Sequence, residues 1–130
     1  MKEFSVESKK QIEAIDVTSR VEALLDKKDG VAVVFVPHAT CALFVNEFEP
    51  NIKSDYEKLF GLLKKEAWKH DEIDDNAAAH LASALVGASV VVPVEGGRLA
   101  LGQWQRIILI ELDGSRKRMV CVSFLPSPQV

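Results

Sequence analysis

The sequence predicts an α+β fold, a sandwich-like pair of β layers with two or three helices on one side. Three observations lead there. About seven short segments alternate apolar with polar residues or run together with β-branched ones. Two longer stretches, opening near Pro50 and Asn76, repeat apolar residues at helical spacing. Turn residues separate the segments, most plainly at Glu95-Gly96-Gly97 and Asp113-Gly114-Ser115.

Residues 4–7 and 11–17 alternate like two early strands, with a turn at 8–10. Ser19-Arg20-Val21-Glu22 has the spacing of a capping box and predicts a helix start. Val21, Leu24 and Leu25 give that helix its buried face, and Gly30 suits a left-handed end. The β-branched run 31–36 reads as a strand covered on both faces. Pro37 interrupts it, and 41–45 form the next strand. Pro50 fits the first turn of a helix of about four turns that carries Ile52, Tyr56, Leu59, Phe60 and Leu63. Residues 66–75 are charged and read as a loop. Asp74 or Asp75 is placed to cap a helix over 76–86, which Gly87 ends. Strands follow at 88–94, 99–101, 105–112 and 118–125, with the Asp-Gly turn joining the last two as a hairpin. No repeat, low-complexity tract or linker divides the 130 residues, so a single domain over 1–130 is expected.

Composition narrows the function classes. With 48% hydrophobic residues the chain can build a core without metal or disulfide staples. A formal charge of −3 argues against a nucleic-acid platform, which needs a basic face. Arg116-Lys117-Arg118 reads as a solvated cluster. Cys41 and Cys121 lie in apolar runs and read as small core residues of a protein in a reducing compartment. The N-terminus lacks a signal-peptide core. The most apolar run, 84–94, is broken by Gly87 and is too short to span a membrane. A cytoplasmic protein with no membrane or nucleic-acid partner is expected.

Polar residues collect in three places. His38 follows the run 31–36, at a strand end where scaffolds hold functional groups. His80 sits on a helix among alanines that leave its ring room, and Asn76 shares its face. His70 lies in the charged loop before that helix. Three neutral imidazoles meeting at one point would bind a divalent ion, zinc or magnesium, and Glu47, Asp55 or Asp75 could orient the rings. The bland alternative is a solvated His70 and a satisfied strand-end His38. Asp55 falls on the apolar side of its helix, where it is either a structural partner or a general base. Trp104 and Gln105 follow Gly102 and could hold a planar heterocycle, unless Trp104 is simply packed in the core. Phosphate-loop, nucleophile-elbow, Cys-x-x-Cys and His-Glu-x-x-His patterns do not occur.

These pieces taken in order resemble the YjbQ-like family. His38-Ala39-Thr40, ending in Asn46-Glu47, is similar to its His-x-Thr…Asn-Glu motif. Asp55 falls at its aspartate, Trp68-Lys69-His70 at its aromatic-x-His, and Asp75-Asn76 with Ala79-His80-Leu81 at its helix motif. Gly97-Arg98-Leu99, Leu101-Gly102-Gln103-Trp104-Gln105 and Arg116-Lys117-Arg118 match its C-terminal half. Cys41, Trp68 and Gln103 depart from the pattern.

The resemblance implies a homotrimer with sheets packed around the threefold axis. It also implies an activity of the secondary thiamine-phosphate-synthase type. That reaction joins a pyrimidine diphosphate to a thiazole phosphate and releases pyrophosphate. On this reading the transfer is metal-assisted. His38, Glu47, Asp55 and His80 are the catalytic candidates, and His38, His70 and His80 bind the ion. Thr40, Asn46, Asn76, Arg98, Trp104, Gln105 and Arg118 contact a small phosphorylated or heterocyclic substrate. The alternative is a non-catalytic trimer that binds a small ligand or metal.

Overall fold

The computed structural model describes residues 1–128. In chain order the elements are β1 (Lys2–Glu7), β2 (Glu13–Asp16), α1 (Thr18–Glu22), β3 (Gly30–Phe35), β4 (Cys41–Asn46), α2 (Pro50–Gly61), α3 (Ala77–Val86), β5 (Ser89–Glu95), β6 (Arg98–Leu99), β7 (Arg106–Glu111) and β8 (Lys117–Pro126). Short 3₁₀ turns at Leu62–Lys65 and Lys69–Glu72 lie between α2 and α3, and the second falls where a loop is expected from sequence. Five strands form one antiparallel sheet in the order β1-β8-β3-β5-β6, and three form a second in the order β2-β7-β4.

The two sheets face each other across the main core. Val34 and Val120 of the larger sheet, with Val36 just beyond β3, meet Leu43, Ile107 and Leu109 of the smaller. A second core lies on the other side of the smaller sheet, where Ile108 and Ile110 pack with Ala79 and Ala82 of α3, and with Tyr56 and Phe60 of α2. The strand covered on both faces is therefore β7, with Ile107, Ile108, Leu109 and Ile110 all fully buried. The run 31–36 does not have that position. Its Ala32 and Val34 are buried, but Phe35 is 44% exposed, because none of the described residues covers the outer face of the larger sheet. An all-apolar strand reads the same whether one face or two are covered within its own chain.

Asp113-Gly114-Ser115 is not a hairpin either. β7 belongs to the smaller sheet and β8 to the larger, so the segment crosses between layers. Gly114 is needed for a close approach: a Cβ there would lie 2.2 Å from the Lys10 carbonyl oxygen. Gly30 likewise is not a left-handed helix end. A Cβ on it would lie 2.2 Å from the Leu125 carbonyl oxygen across the sheet.

The helices follow local chemistry with some exchange of partners. Pro50 opens α2, and the Glu49 carboxylate accepts from Asn51 and Ile52 N–H at 3.0 and 2.6 Å. α1 has no capping box. Asp16 accepts from the Thr18 N–H instead, and Glu22 accepts from Leu99 N–H. α3 is capped by Asp71, which accepts from Ala77 N–H at 3.0 Å, rather than by Asp74 or Asp75. Its buried Ala77, Ala78, Ala79 and Ala82 let it lie close on the smaller sheet. No helix among the described residues is long and apolar enough to cross a membrane.

Beneath this frame lies a buried ion pair. Glu111 is 0% and Arg118 2% exposed. Arg118 Nε donates to Glu111 Oε1 at 2.9 Å, and a terminal guanidinium nitrogen donates to Glu111 Oε2 and to the Thr40 carbonyl and hydroxyl oxygens. Glu111 also accepts from the Ser8 hydroxyl and from Leu112 and Asp113 N–H. Burial pushes the Glu111 carboxyl up, but Arg118 and these other donors outweigh it, so its pKa lies below the ordinary carboxylate value.

Removing one partner of such a pair strands a buried charge. Glu111→Gln is expected to cost about 3–5 kcal/mol in urea unfolding. The pH sign follows from the direction of the shift. Glu111 holds its proton less tightly folded than unfolded. Its stabilisation is complete above the unfolded value near 4.5 and is lost as pH falls through the lower folded value. The wild-type urea midpoint should therefore fall with acidification below about pH 4.5, and less steeply in Glu111→Gln.

Candidate functional site

Beyond β3 the chain turns at Pro37 and delivers His38 to the rim of a cleft of about 620 Å³. His38, Thr40, Asp74, Asp75, Asn76, His80, Asp113, Arg116 and Arg118 line it. Three structural pieces build its walls: the β3–β4 crossover, the start of α3 and the β7–β8 crossover.

His38 is half-buried, and its Nε2 accepts from the Met119 N–H of β8 at 2.9 Å. Burial, and then the Arg118 charge, hold its pKa below the ordinary imidazole value. His70 uses its Nε2 differently, 2.9 Å from the Asn76 side-chain oxygen. An amide oxygen only accepts, so His70 Nε2 carries the proton. The Asn76 amide nitrogen donates to Asp113 Oδ2 at 3.2 Å, and Arg116 donates to the same oxygen at 3.2 Å. Asn76 is free for this because Asp71 supplies the helix cap. The His70 and His80 rings meet edge to face, with centroids 5.0 Å apart.

A second, mostly apolar pocket of about 510 Å³ adjoins this pair, lined by Trp68, His70, Ala77, His80 and Leu81 among others. The Trp68 Nε1–H donates to the Leu63 carbonyl oxygen at 3.0 Å, which leaves its ring surface as the feature a ligand would meet. His80 lines both the polar cleft and this pocket.

Several residues singled out from sequence stand elsewhere. Trp104 is 69% exposed and Gln105 accepts from Gly102 N–H within its own turn, and neither lines the cleft. Arg98 sits 3.8 Å from Glu22 beside a separate depression. The Asn46 side chain accepts from Glu47 N–H, and the Glu47 carbonyl oxygen accepts from the Tyr56 hydroxyl, so both secure the β4–α2 corner. Asp55 is exposed on α2, and the half-buried acid of that helix is Glu57, held by Lys10, Lys53 and Ala14 N–H. Thr40 and Arg118 are at the cleft, but as its floor, locked to each other and to Glu111. Arg118 is thus not a solvated cation. Burial pushes the Cys41 thiol up to about 11, which removes it as a nucleophile.

The three imidazoles do not form one ligand set. Among the described residues no group of three or more His, Cys, Asp or Glu side chains is placed to hold a metal ion. The donor chemistry gives a reason: His38 commits its lone pair at Nε2 to Met119 N–H, and its other nitrogen then carries the proton. Sequence reading missed Glu111, Asp113 and Arg116. The available signal was an acid in an apolar strand, seven residues before an arginine across a layer-crossing turn.

The model of the UPF0047 protein YjbQ-like family matches residues 2–127. This chain belongs to the YjbQ-like family. A UPF0047 protein of Archaeoglobus fulgidus is 46% identical to the YjbQ-like chain over 127 residues, 95% of this chain and 99% of that protein. The UPF0047 protein YugU of Bacillus subtilis is 36% identical over 132 residues, covering 96% and 98%. Among solved structures, a hypothetical protein of Aeropyrum pernix K1 superposes with a TM-score of 0.92 at 42% identity, covering 97% of this chain and 98% of its own. An uncharacterized YjbQ/UPF0047 protein of Clostridium acetobutylicum gives 0.88 at 34%, covering 96% and 100%.

The Asn76 link makes a prediction of its own. Asn76→Ala should lower stability by about 1–2 kcal/mol, with helix content retained. It should also speed solvent exchange of the His70 Nε2 proton, measured by NMR.

Proposed function

We propose that this YjbQ-like protein binds a small phosphorylated heterocycle and carries out a transfer reaction on it, with His80 at the reacting centre. The observation that carries this is the shared position of His80 between a polar cleft and an apolar, indole-lined pocket. A ring lies against Trp68 and Leu81, while its phosphate reaches Arg116 and the donors of the cleft. The His80 ring makes no hydrogen bond among the described residues, so both its ring nitrogens are available for proton transfer.

The reaction that best fits a ligand of this kind is of the thiamine-phosphate-synthase type. A pyrimidine diphosphate joins a thiazole phosphate and pyrophosphate leaves. Arg116 offsets charge on the departing diphosphate. Among the described residues the histidines form no common metal site, so a divalent ion is better brought in with the diphosphate. Magnesium keeps most of its waters and needs only a carboxylate or two besides phosphate oxygens. Asp74 and Asp75, which line the cleft, would supply those carboxylates.

The outer face of the larger sheet supports a homotrimer. Phe35, Val91 and Leu125 are 44%, 64% and 54% exposed, and Val33 and Val91 are direct cross-strand partners on that face. An apolar face of this kind marks an interaction site. The same face is equally compatible with a second reading, a trimer that binds the ligand without turning it over.

The assay is product formation from the two thiamine precursors. His80→Ala should reduce turnover roughly 100-fold or more, the ordinary contribution of a general acid or base. Unchanged turnover in that variant removes His80 from the chemistry. Binding without product in the wild type gives the second reading instead. In sedimentation equilibrium the wild type should run at three times the 14.3 kDa chain mass, and Val91→Asp should run lighter.

A further inference from the structure

His38 is the one cleft histidine whose two nitrogens are already distinguished by the backbone. A neutral imidazole has one donor and one acceptor nitrogen. The Met119 N–H points at Nε2 from 2.9 Å, so the lone pair is there and the proton is on Nδ1. A proton on Nε2 would set two donors against each other and break this bond. Met119 belongs to β8, which lies between β1 and β3 in the larger sheet, so the ring is held by a rigid strand. Nδ1 has no partner among the described residues, and it is not a buried unsatisfied atom. His38 lines the cleft, which leaves Nδ1–H for a ligand or for water.

We propose that His38 is a fixed, neutral hydrogen-bond donor that selects ligands presenting an acceptor oxygen, such as a phosphate oxygen, through Nδ1–H. This rests on the cleft being the ligand site, and it deepens that reading by assigning His38 a specificity role in place of the expected metal-binding and catalytic ones. The choice of ligand follows from the fixed proton. An oxyanion accepts from Nδ1–H, while an ammonium or amide N–H at that place meets another donor. Pre-orientation by the sheet means little ordering is needed when the ligand arrives. The environment works the same way: burial and the Arg118 and Arg116 charges disfavour the imidazolium, against an opposing pull from Glu111.

The test uses ¹⁵N-labelled full-length protein at pH 7, with inorganic phosphate as the probe. The chain has 3 histidines, so single-histidine variants assign each ring. The expected result is a neutral His38 protonated at Nδ1, with the Nδ1 and its proton shifting as phosphate is added. His38→Ala should then bind phosphate roughly tenfold more weakly. An Nε2-protonated ring or an imidazolium in the free protein overturns the proposal. So does phosphate that perturbs His80 and Arg116 but leaves His38 Nδ1 unmoved, an outcome that would spare the cleft as ligand site and give His38 a purely structural tie. Phosphate that perturbs none of the three groups overturns the proposal together with the phosphate-binding reading of the cleft.

Discussion

Glu111 and Arg118 meet where three of the crossovers between the two sheets come together. Ser8 comes from the β1–β2 crossover, Thr40 from β3–β4, and Asp113 from β7–β8, and each is bonded to one member of the pair. A buried pair adds little net stability over good apolar packing. Its contribution here is direction. Both Glu111 oxygens, and the Arg118 Nε and one of its terminal nitrogens, are bonded to particular groups, so the three chain segments are held in one relative arrangement. The polar cleft lies on top of that arrangement, and two of the same crossovers supply its walls.

The histidines show how one residue type is given three roles by its neighbours. His38 gives its lone pair to a strand N–H. His70 gives its proton to an amide oxygen and joins a path through Asn76 to Asp113 and Arg116. His80 gives neither, and stands between a charged surface and an aromatic one. None of these differences depends on the histidines themselves. They come from Met119, Asn76 and the alanines around His80, residues with no chemistry of their own to advertise.

Local signals in the sequence were legible where the physics is local. Pro50 and the helical spacing after it gave α2, Gly87 gave the end of α3, and the apolar alternation gave most strands within a residue or two. Asn76 and His80 were readable as one face of one helix. The failures are of one kind. The Asp-Gly signal at 113–114 marks a change of direction, but not whether the next strand joins the same sheet. Trp104 and Gln105 look like a ligand platform in sequence, and only the tertiary path shows them lying outside the cleft. Glu111 was hidden because a carboxylate at the end of an apolar strand normally faces water, and its partner lies beyond a turn that seemed to separate them. Trp68 could be matched by position, but its role as a pocket wall depends on Leu63 taking its N–H.

The order of strands in the sheets has a consequence for synthesis. β7 lies between the other two strands of the smaller sheet, and β8 joins β1 to β3 in the larger, yet both come from the last quarter of the chain. While the ribosome is still making residues 1–105, β1, β2 and β4 have no neighbour to pair with, and only β3, β5 and β6 can associate. Such a nascent chain carries unsatisfied strand edges and no closed core. Its folding therefore waits until β7 and β8 have been made, and then proceeds as a collapse governed by long-range pairings. Chaperone dependence in the cell would be set by how long those early strands wait.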